Sequence, residues 1–135
     1  MANNGCALQI IELDEKNHTY KLNEGLVKKV FGHDDLRNCH LSVISVAGAL
    51  RTGKSFILSF FIKYLKAKYD NSINVDEWLD DDTEGLSGFS WRSGAERNTT
   101  GILIWSKIFI DTLPNGKKVV INYFVLNCVK YILLL

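Results

Sequence analysis

A three-layer α/β fold built on a central, mostly parallel sheet is predicted by three features of this sequence. A β-branched apolar run, HLSVISVA (His40–Ala47), leads through a glycine-bearing loop straight into a long helical stretch, KSFILSFFIKYLKAKY. Further strand-type runs lie on both sides of that unit, at Ala7–Leu13 and beyond Gly101. Strands and helices mixed in this way pack in layers, because each element has one apolar face to bury against another.

The elements follow in order. ALQIIEL (Ala7–Leu13) has β-type composition, and DEKNHTYKL after it is a turn leading to a second short strand. Asn23 is placed to cap a helix through EGLVKKVF, where Leu26, Val27, Val30 and Phe31 recur at helical spacing. Gly32 ends that helix as a C-terminal cap. HLSVISVA is almost continuously apolar, as in a strand covered on both faces. In the helix from Lys54, the residues Ile57, Phe60, Phe61, Tyr64 and Leu65 form the apolar face, with Lys63, Lys66 and Lys68 elsewhere. The long, polar, glycine-dotted stretch from Asp70 to Gly101 is a functional or a mobile loop. ILIWSKIFI and KKVVINYFVL flank DTLPNG, whose Pro-Asn-Gly marks a turn, so the two runs pair as a hairpin.

At 135 residues the chain suits one domain with a core of its own. Hydrophobic residues at 47% and charged residues at 23% are globular proportions. A net charge of +1 gives no electrostatic case for nucleic acid or an anionic membrane as partner. Cys6, Cys39 and Cys128 are odd in number and widely spaced, which favours reduced thiols in a cytosol-facing compartment over a disulfide framework or a zinc site. His18, His33 and His40 are equally scattered. The first residues lack a basic segment followed by a long apolar core, so no signal peptide is read there.

The loop between strand and helix carries the chemistry. Gly48-Ala49-Leu50-Arg51-Thr52-Gly53-Lys54-Ser55 fits G-x-x-x-x-G-K-[ST] at every fixed position. Chance alone gives such a match in roughly one chain in two hundred of this length. Here a strand precedes it and a helix begins at the lysine, the P-loop setting. Small residues let consecutive backbone N–H groups, from Gly48 through Phe56, turn inward around phosphate oxygens, and the helix N-terminus adds its positive end. Lys54 is the compact charge for the β- and γ-phosphates, and the Ser55 hydroxyl is a ligand for Mg2+. A plain strand–turn–helix connection with a surface lysine is the alternative.

A P-loop enzyme also needs a second hydroxyl on the metal and a charge on the transferring phosphoryl group. RNTTGI offers Thr99 and Thr100 immediately before a strand, although such a pair by itself is an ordinary β-rich turn. Arg51, inside the loop, is placed to serve as an arginine supplied in cis, or is simply a solvated loop residue. Asp76, Glu77, Asp80, Asp81, Asp82 and Glu84 read as a solvated acidic face. Trp78, Trp91 and Trp105 read as core or loop anchors.

Three segments carry more than the motif itself, SVAGALRTGKSFILSFFIKYL, GFSWRSGAERNTTGILIWSK and LPNGKKV, and the GFSWR segment is far more particular than a P-loop. Together they resemble the GTPase domain of atlastins, the dynamin-related, endoplasmic-reticulum-shaping branch of the guanylate-binding-protein family. LQIIELDEKNHTYKLNEGLVKKVF fits the strand–strand–helix entry of that domain, so the similarity runs from about Ala7 to Val120. The resemblance implies a P-loop NTPase (G domain) fold that binds GTP and GDP and hydrolyses GTP. It implies Arg51 as the catalytic arginine, Lys54 and Ser55 on phosphate and Mg2+, and Thr99 as the switch I threonine, with Thr100 as the alternative register. Arg92 and Arg97 lie in the same segment without an assigned role. The resemblance further implies self-association through GTPase domains, fusion of reticulum tubules, and a place on the cytosolic face of the endoplasmic reticulum membrane. A truncated mature product would instead be cytoplasmic.

The sequence departs from that family downstream. An Asp-Thr-Gln-Gly signature is due near Val125 and is absent, and Asp111 is the last acidic residue of the chain. No Arg-Asp pair, which reads guanine in this family, occurs anywhere. The expected organisation is therefore residues 1–120 as the N-terminal part of the GTPase domain, incomplete at its C-terminal side. Residues 121–135 form an apolar tail that leaves the family pattern. The tail is too short for an ordinary bilayer span and includes Asn122, Asn127 and Lys130. Two functions compete: GTP binding and hydrolysis, and a catalytically incompetent fragment that acts at most as an interaction piece.

Overall fold

A computed structural model describes residues 4–14, 16–48, 53–70, 74–79, 88–89 and 101–126. Strand β1 (Ala7–Asp14) turns back into β2 (Thr19–Leu22), and helix α1 (Glu24–Phe31) follows. A short 3-10 turn at Asp34–Leu36 leads to β3 (His40–Ala47), and then comes α2 (Lys54–Asp70). Strands β4 (Gly101–Trp105), β5 (Phe109–Thr112) and β6 (Lys118–Leu126) complete the described elements.

Local chemistry explains the entry. The Asn23 side-chain oxygen accepts from the Leu26 backbone N–H at 3.1 Å, which satisfies one of the unpaired donors of the first turn of α1. Gly32 ends α1 with its N–H on the Lys28 carbonyl at 2.7 Å. Its φ is −83°, so the left-handed freedom of glycine is not what is used. A Cβ there would stand 2.3 Å from the Lys28 oxygen, and close approach is the reason for glycine.

Six strands form one sheet in the order β2-β1-β4-β6-β3, with β5 also pairing β6. Among the described residues only β3 and β6 run parallel, in register from His40 opposite Val119 to Ala47 opposite Leu126. The pairs β1–β2, β1–β4, β4–β6 and β5–β6 are antiparallel. Among the described residues the sheet is thus mixed, with more antiparallel pairs than the mostly parallel sheet expected. A parallel pair needs a long crossover between its strands, and the chain between β3 and β6 supplies one that includes α2.

The helices pack on opposite faces. Leu58, Ile62 and Leu65 of α2 cluster with Phe89, Trp105, Phe109 and Tyr123. Leu26, Val27, Val30 and Phe31 of α1 meet Ile10, Ile104 and Phe124. Trp105 and Ile104 are neighbours in one strand, as are Tyr123 and Phe124, so the two clusters use alternate sides of the same strands.

Three sequence expectations are corrected here. Strand β3 is not covered on both faces: every residue but Val46 is exposed, with Leu41 at 55% and Val43 at 42%. It is the terminal strand among the described residues and pairs with β6 alone. The buried side of α2 is Leu58, Ser59, Ile62, Leu65, Lys66 and Ala67, whereas Ile57 and Phe61 are exposed. That helix is apolar nearly all round, so spacing alone does not select a face. The run ILIWSKIFI breaks at Ser106–Ile108 into β4 and β5, which pair with successive stretches of β6. The turn is as expected: Leu113 and Lys117 close it at 2.8 Å, with Gly116 at φ 79°.

Candidate functional site

The P-loop lies where β3 hands over to α2. Gly48 follows the last residue of β3, and Gly53 precedes the first of α2. Gly53 has φ 78°, a left-handed conformation that a side chain disfavours, and its carbonyl accepts from the Ile57 N–H at 3.0 Å. Glycine is therefore required at the entry to α2 by backbone shape. The Lys54 side chain does not run out along the helix. It folds back so that its ammonium donates to the Gly48 carbonyl at 3.0 Å, tying the first and last turns of the loop together. Lys54 is buried, and loss of hydration holds its pKa below the ordinary lysine value.

Ser55 is half-buried in the first turn of α2, and Phe56 beside it is exposed, edge-on to Phe60 at 5.0 Å. Ala49, Leu50, Arg51 and Thr52 lie outside the described residues, as do Trp91, Arg92, Arg97, Thr99 and Thr100. Asp80, Asp81, Asp82, Glu84 and Cys128 lie outside them as well. The structure thus brings Gly48, Gly53, Lys54 and Ser55 together at one end of the sheet. Asp76 and Glu77 are exposed, and Trp78 packs edge-on against Tyr64 at 5.4 Å. Cys6 and Cys39 are free thiols.

Sequence reasoning missed three residues near this site. Ser59, fully buried one turn beyond Ser55, donates from its hydroxyl to the Ser55 carbonyl at 2.8 Å and lies 3.4 Å from the Phe89 carbonyl. Gly88 packs on that serine, and Phe89 is buried with its ring 5.3 Å from that of Trp105. The only sequence signal was a polar residue at i+4 from Ser55 inside an apolar helix. Immediately after Thr100, Gly101 has φ 127°, and a Cβ there would stand 1.9 Å from the Ile11 carbonyl oxygen. The chain can enter β4 at that point only as glycine.

The far end of α2 is fastened as well. The Tyr69 hydroxyl donates to Asp111 at 2.7 Å, and Lys107 pairs with Asp70. The Tyr69 hydrogen bond holds the Asp111 carboxyl below the usual carboxylate range. Asp111, the last acidic residue of the chain, is therefore committed to α2. Among the described residues no helix is long and apolar enough to cross a membrane.

Comparison with known proteins fits this geometry. The chain is similar to an atlastin of Drosophila melanogaster, 46% identical over 117 residues, which is 87% of this chain and 21% of that protein. It is similar to human Atlastin-2, 39% identical over 116 residues, covering 86% of this chain and 19% of the relative. Human Atlastin-3 is 40% identical over 114 residues, 84% of this chain and 21% of its own length. The chain spans about a fifth of the length of the curated relatives it matches. Residues 17–126 match the N-terminal domain of guanylate-binding proteins, and the chain belongs to that family, with atlastins as its relatives.

Proposed function

We propose that this chain is the nucleotide-binding, N-terminal part of an atlastin-like GTPase, spanning residues 1–120, and that it holds GTP or GDP in the loop from Gly48 to Phe56. The observation that supports this best is the posture of Lys54, buried and folded onto the Gly48 carbonyl across the mouth of the loop. An ammonium in that position exchanges one carbonyl for phosphate oxygens without leaving the site. The N–H groups at the head of α2 add donors and the positive end of the helix dipole.

The side chains fit a hard divalent cation. Ser55 supplies a hydroxyl in the first turn of α2, and Thr99, or Thr100 in the alternative register, supplies the second. Mg2+ keeps several waters and binds through few protein oxygens, so two hydroxyls with a phosphate suit it. When bound, the ion neutralises charge on the β- and γ-phosphates. Arg51 acts on the same charge from within the loop, as the resemblance implies. The carboxylate that the resemblance puts near Val125 is not at that position, and the nearest acidic residue before it, Asp111, is held by Tyr69. This observation favours a second reading, in which the chain binds nucleotide poorly or not at all and acts as an interaction piece.

At the level of the whole protein, we place the activity in homotypic self-association of GTPase domains and in membrane fusion at the cytosolic face of the endoplasmic reticulum. Titration of the purified chain with fluorescent GTP and ATP analogues, with and without Mg2+, beside Lys54→Ala, tests the proposal. Magnesium-dependent GTP binding that is lost in Lys54→Ala is expected. Absence of binding to either nucleotide leaves the interaction reading, and preference for ATP overturns the guanine assignment.

A further inference from the structure

We infer that Asn115, at the tip of the hairpin between β5 and β6, is a self-modification site: the Gly116 backbone nitrogen attacks its side-chain amide, which becomes aspartate or isoaspartate. The inference stands apart from the nucleotide reading.

Asparagine followed by glycine is the pair at which this chemistry runs fastest, because glycine has no side chain to crowd the attack. The chain has two such pairs, Asn4-Gly5 and Asn115-Gly116. Both asparagines are exposed, and their surroundings differ. A Cβ on Gly116 would meet nothing within 4 Å, so a ring can close there in open space. A Cβ on Gly5 would stand 2.6 Å from the Trp105 indole nitrogen and 3.0 Å from the Lys107 Cβ. Cys6, the next residue, is tied to Ser106 by two hydrogen bonds of 2.8 Å. Gly5 is thus pressed onto the sheet, whereas Gly116 stands clear of it.

The turn also readies the electrophile. The Lys117 N–H donates to Asn115 Oδ1 at 3.0 Å, and negative charge develops on that oxygen when the amide carbon is attacked. One contact opposes the reaction: the Gly116 N–H donates to the Leu113 carbonyl at 2.8 Å and must be released first. That bond belongs to an exposed tip, where local opening needs least free energy.

In the step, the Gly116 nitrogen gives its proton to solvent and bonds to Asn115 Cγ. The Cγ–Nδ2 bond breaks, and that nitrogen leaves as ammonia with a proton from water. Water then opens the five-membered imide. Addition at Cγ gives aspartate. Addition at the Asn115 main-chain carbonyl gives isoaspartate, with the chain routed through Cγ. Either product adds a negative charge beside Lys117 and Lys118. Isoaspartate also lengthens the turn, whose Leu113–Lys117 bond and Thr112–Lys118 pairing set the hairpin register.

The test incubates the purified chain in neutral buffer, folded in one arm and in guanidinium chloride in the other. Conversion at each asparagine is followed over time by peptide mapping and mass spectrometry. In the folded arm, conversion at Asn115 is expected to be at least about tenfold faster than at Asn4, because a packed strand end opens less often than a turn tip. In denaturant the two rates are expected to converge, since glycine follows both residues. Asn115→Gln, whose longer side chain would have to close a six-membered ring, is expected to abolish conversion at this position and leave Asn4 as it was. Equal rates in the folded arm, or faster conversion at Asn4, overturn the inference. A preference that denaturant leaves unchanged belongs to sequence alone and overturns it too. So does a folded chain that keeps both asparagines intact while the denatured chain converts them.

Discussion

The Asn122 side-chain amide donates to the Trp105 carbonyl at 2.9 Å in the interior of the sheet, with Asn122 fully buried and the Lys107 carbonyl 3.5 Å away. Trp105 is the last residue of β4, and Lys107 lies within the break before β5 begins. The asparagine on β6 thus bridges the interruption that lets one strand pair with both. Removing the amide leaves buried acceptors unpaired, which costs about 1–3 kcal/mol beyond any packing loss. Asn122→Val is expected to lower stability by about 2 kcal/mol, read as a reduced urea midpoint with an unchanged slope. An unaltered midpoint rejects this role.

That residue also marks what the sequence could and could not reveal. The strands at Ala7–Leu13 and His40–Ala47 and the helix capped by Asn23 were legible, because each is fixed by local pattern and capping. At the entry to α2, Gly53 was legible because the motif puts glycine where the backbone takes a left-handed φ of 78°. The buried side of α2 was not legible, because Phe56, Ile57, Phe60 and Phe61 are as apolar as Leu58 and Ile62. Only the sheet chooses between them. The exposure of β3 depends on which strands lie beside it, which a β-branched run does not encode. Ser59 with Gly88, and Asn122 with Trp105, are contacts between residues far apart in sequence, and nothing in the local spacing announces them.

Tyr123 supplies a prediction in pH. Burial in the cluster beneath α2, with a smaller Coulombic effect of Tyr69 and Tyr64, raises its pKa to about 12 from the ordinary 10. The folded state thus binds this proton more tightly than the unfolded state. The associated stability is fully present below pH 10 and is lost as pH rises towards about 12. Melting temperature measured from pH 8 upward is expected to fall through that window. The fall should be shallower for Tyr123→Phe, which has no proton to lose. Parallel curves for the two proteins reject the assignment.

The outer strand carries the last prediction. Leu41, Val43 and Ile44 of β3 are 55%, 42% and 37% exposed, and Ile57 and Phe61 of α2 add two more exposed apolar side chains. Among the described residues the outer edge of β3 has no strand beside it, and its N–H and C=O groups are available to a further strand. Strand edges of this kind are normally blunted by lysine, proline or a bulge, and β3 has none of these: its register with β6 is continuous over eight residue pairs. The purified chain is therefore expected to associate as its concentration rises, seen as a growing weight-average mass in sedimentation. A charge on the strand opposes edge pairing while leaving the pairing with β6 in place. Val43→Lys is the suitable change, since Val43 is exposed and no hydrogen bond of its backbone is altered. The variant should remain monomeric over the range in which the parent associates, with the same circular dichroism spectrum. Association of both proteins to the same extent places the contact away from β3.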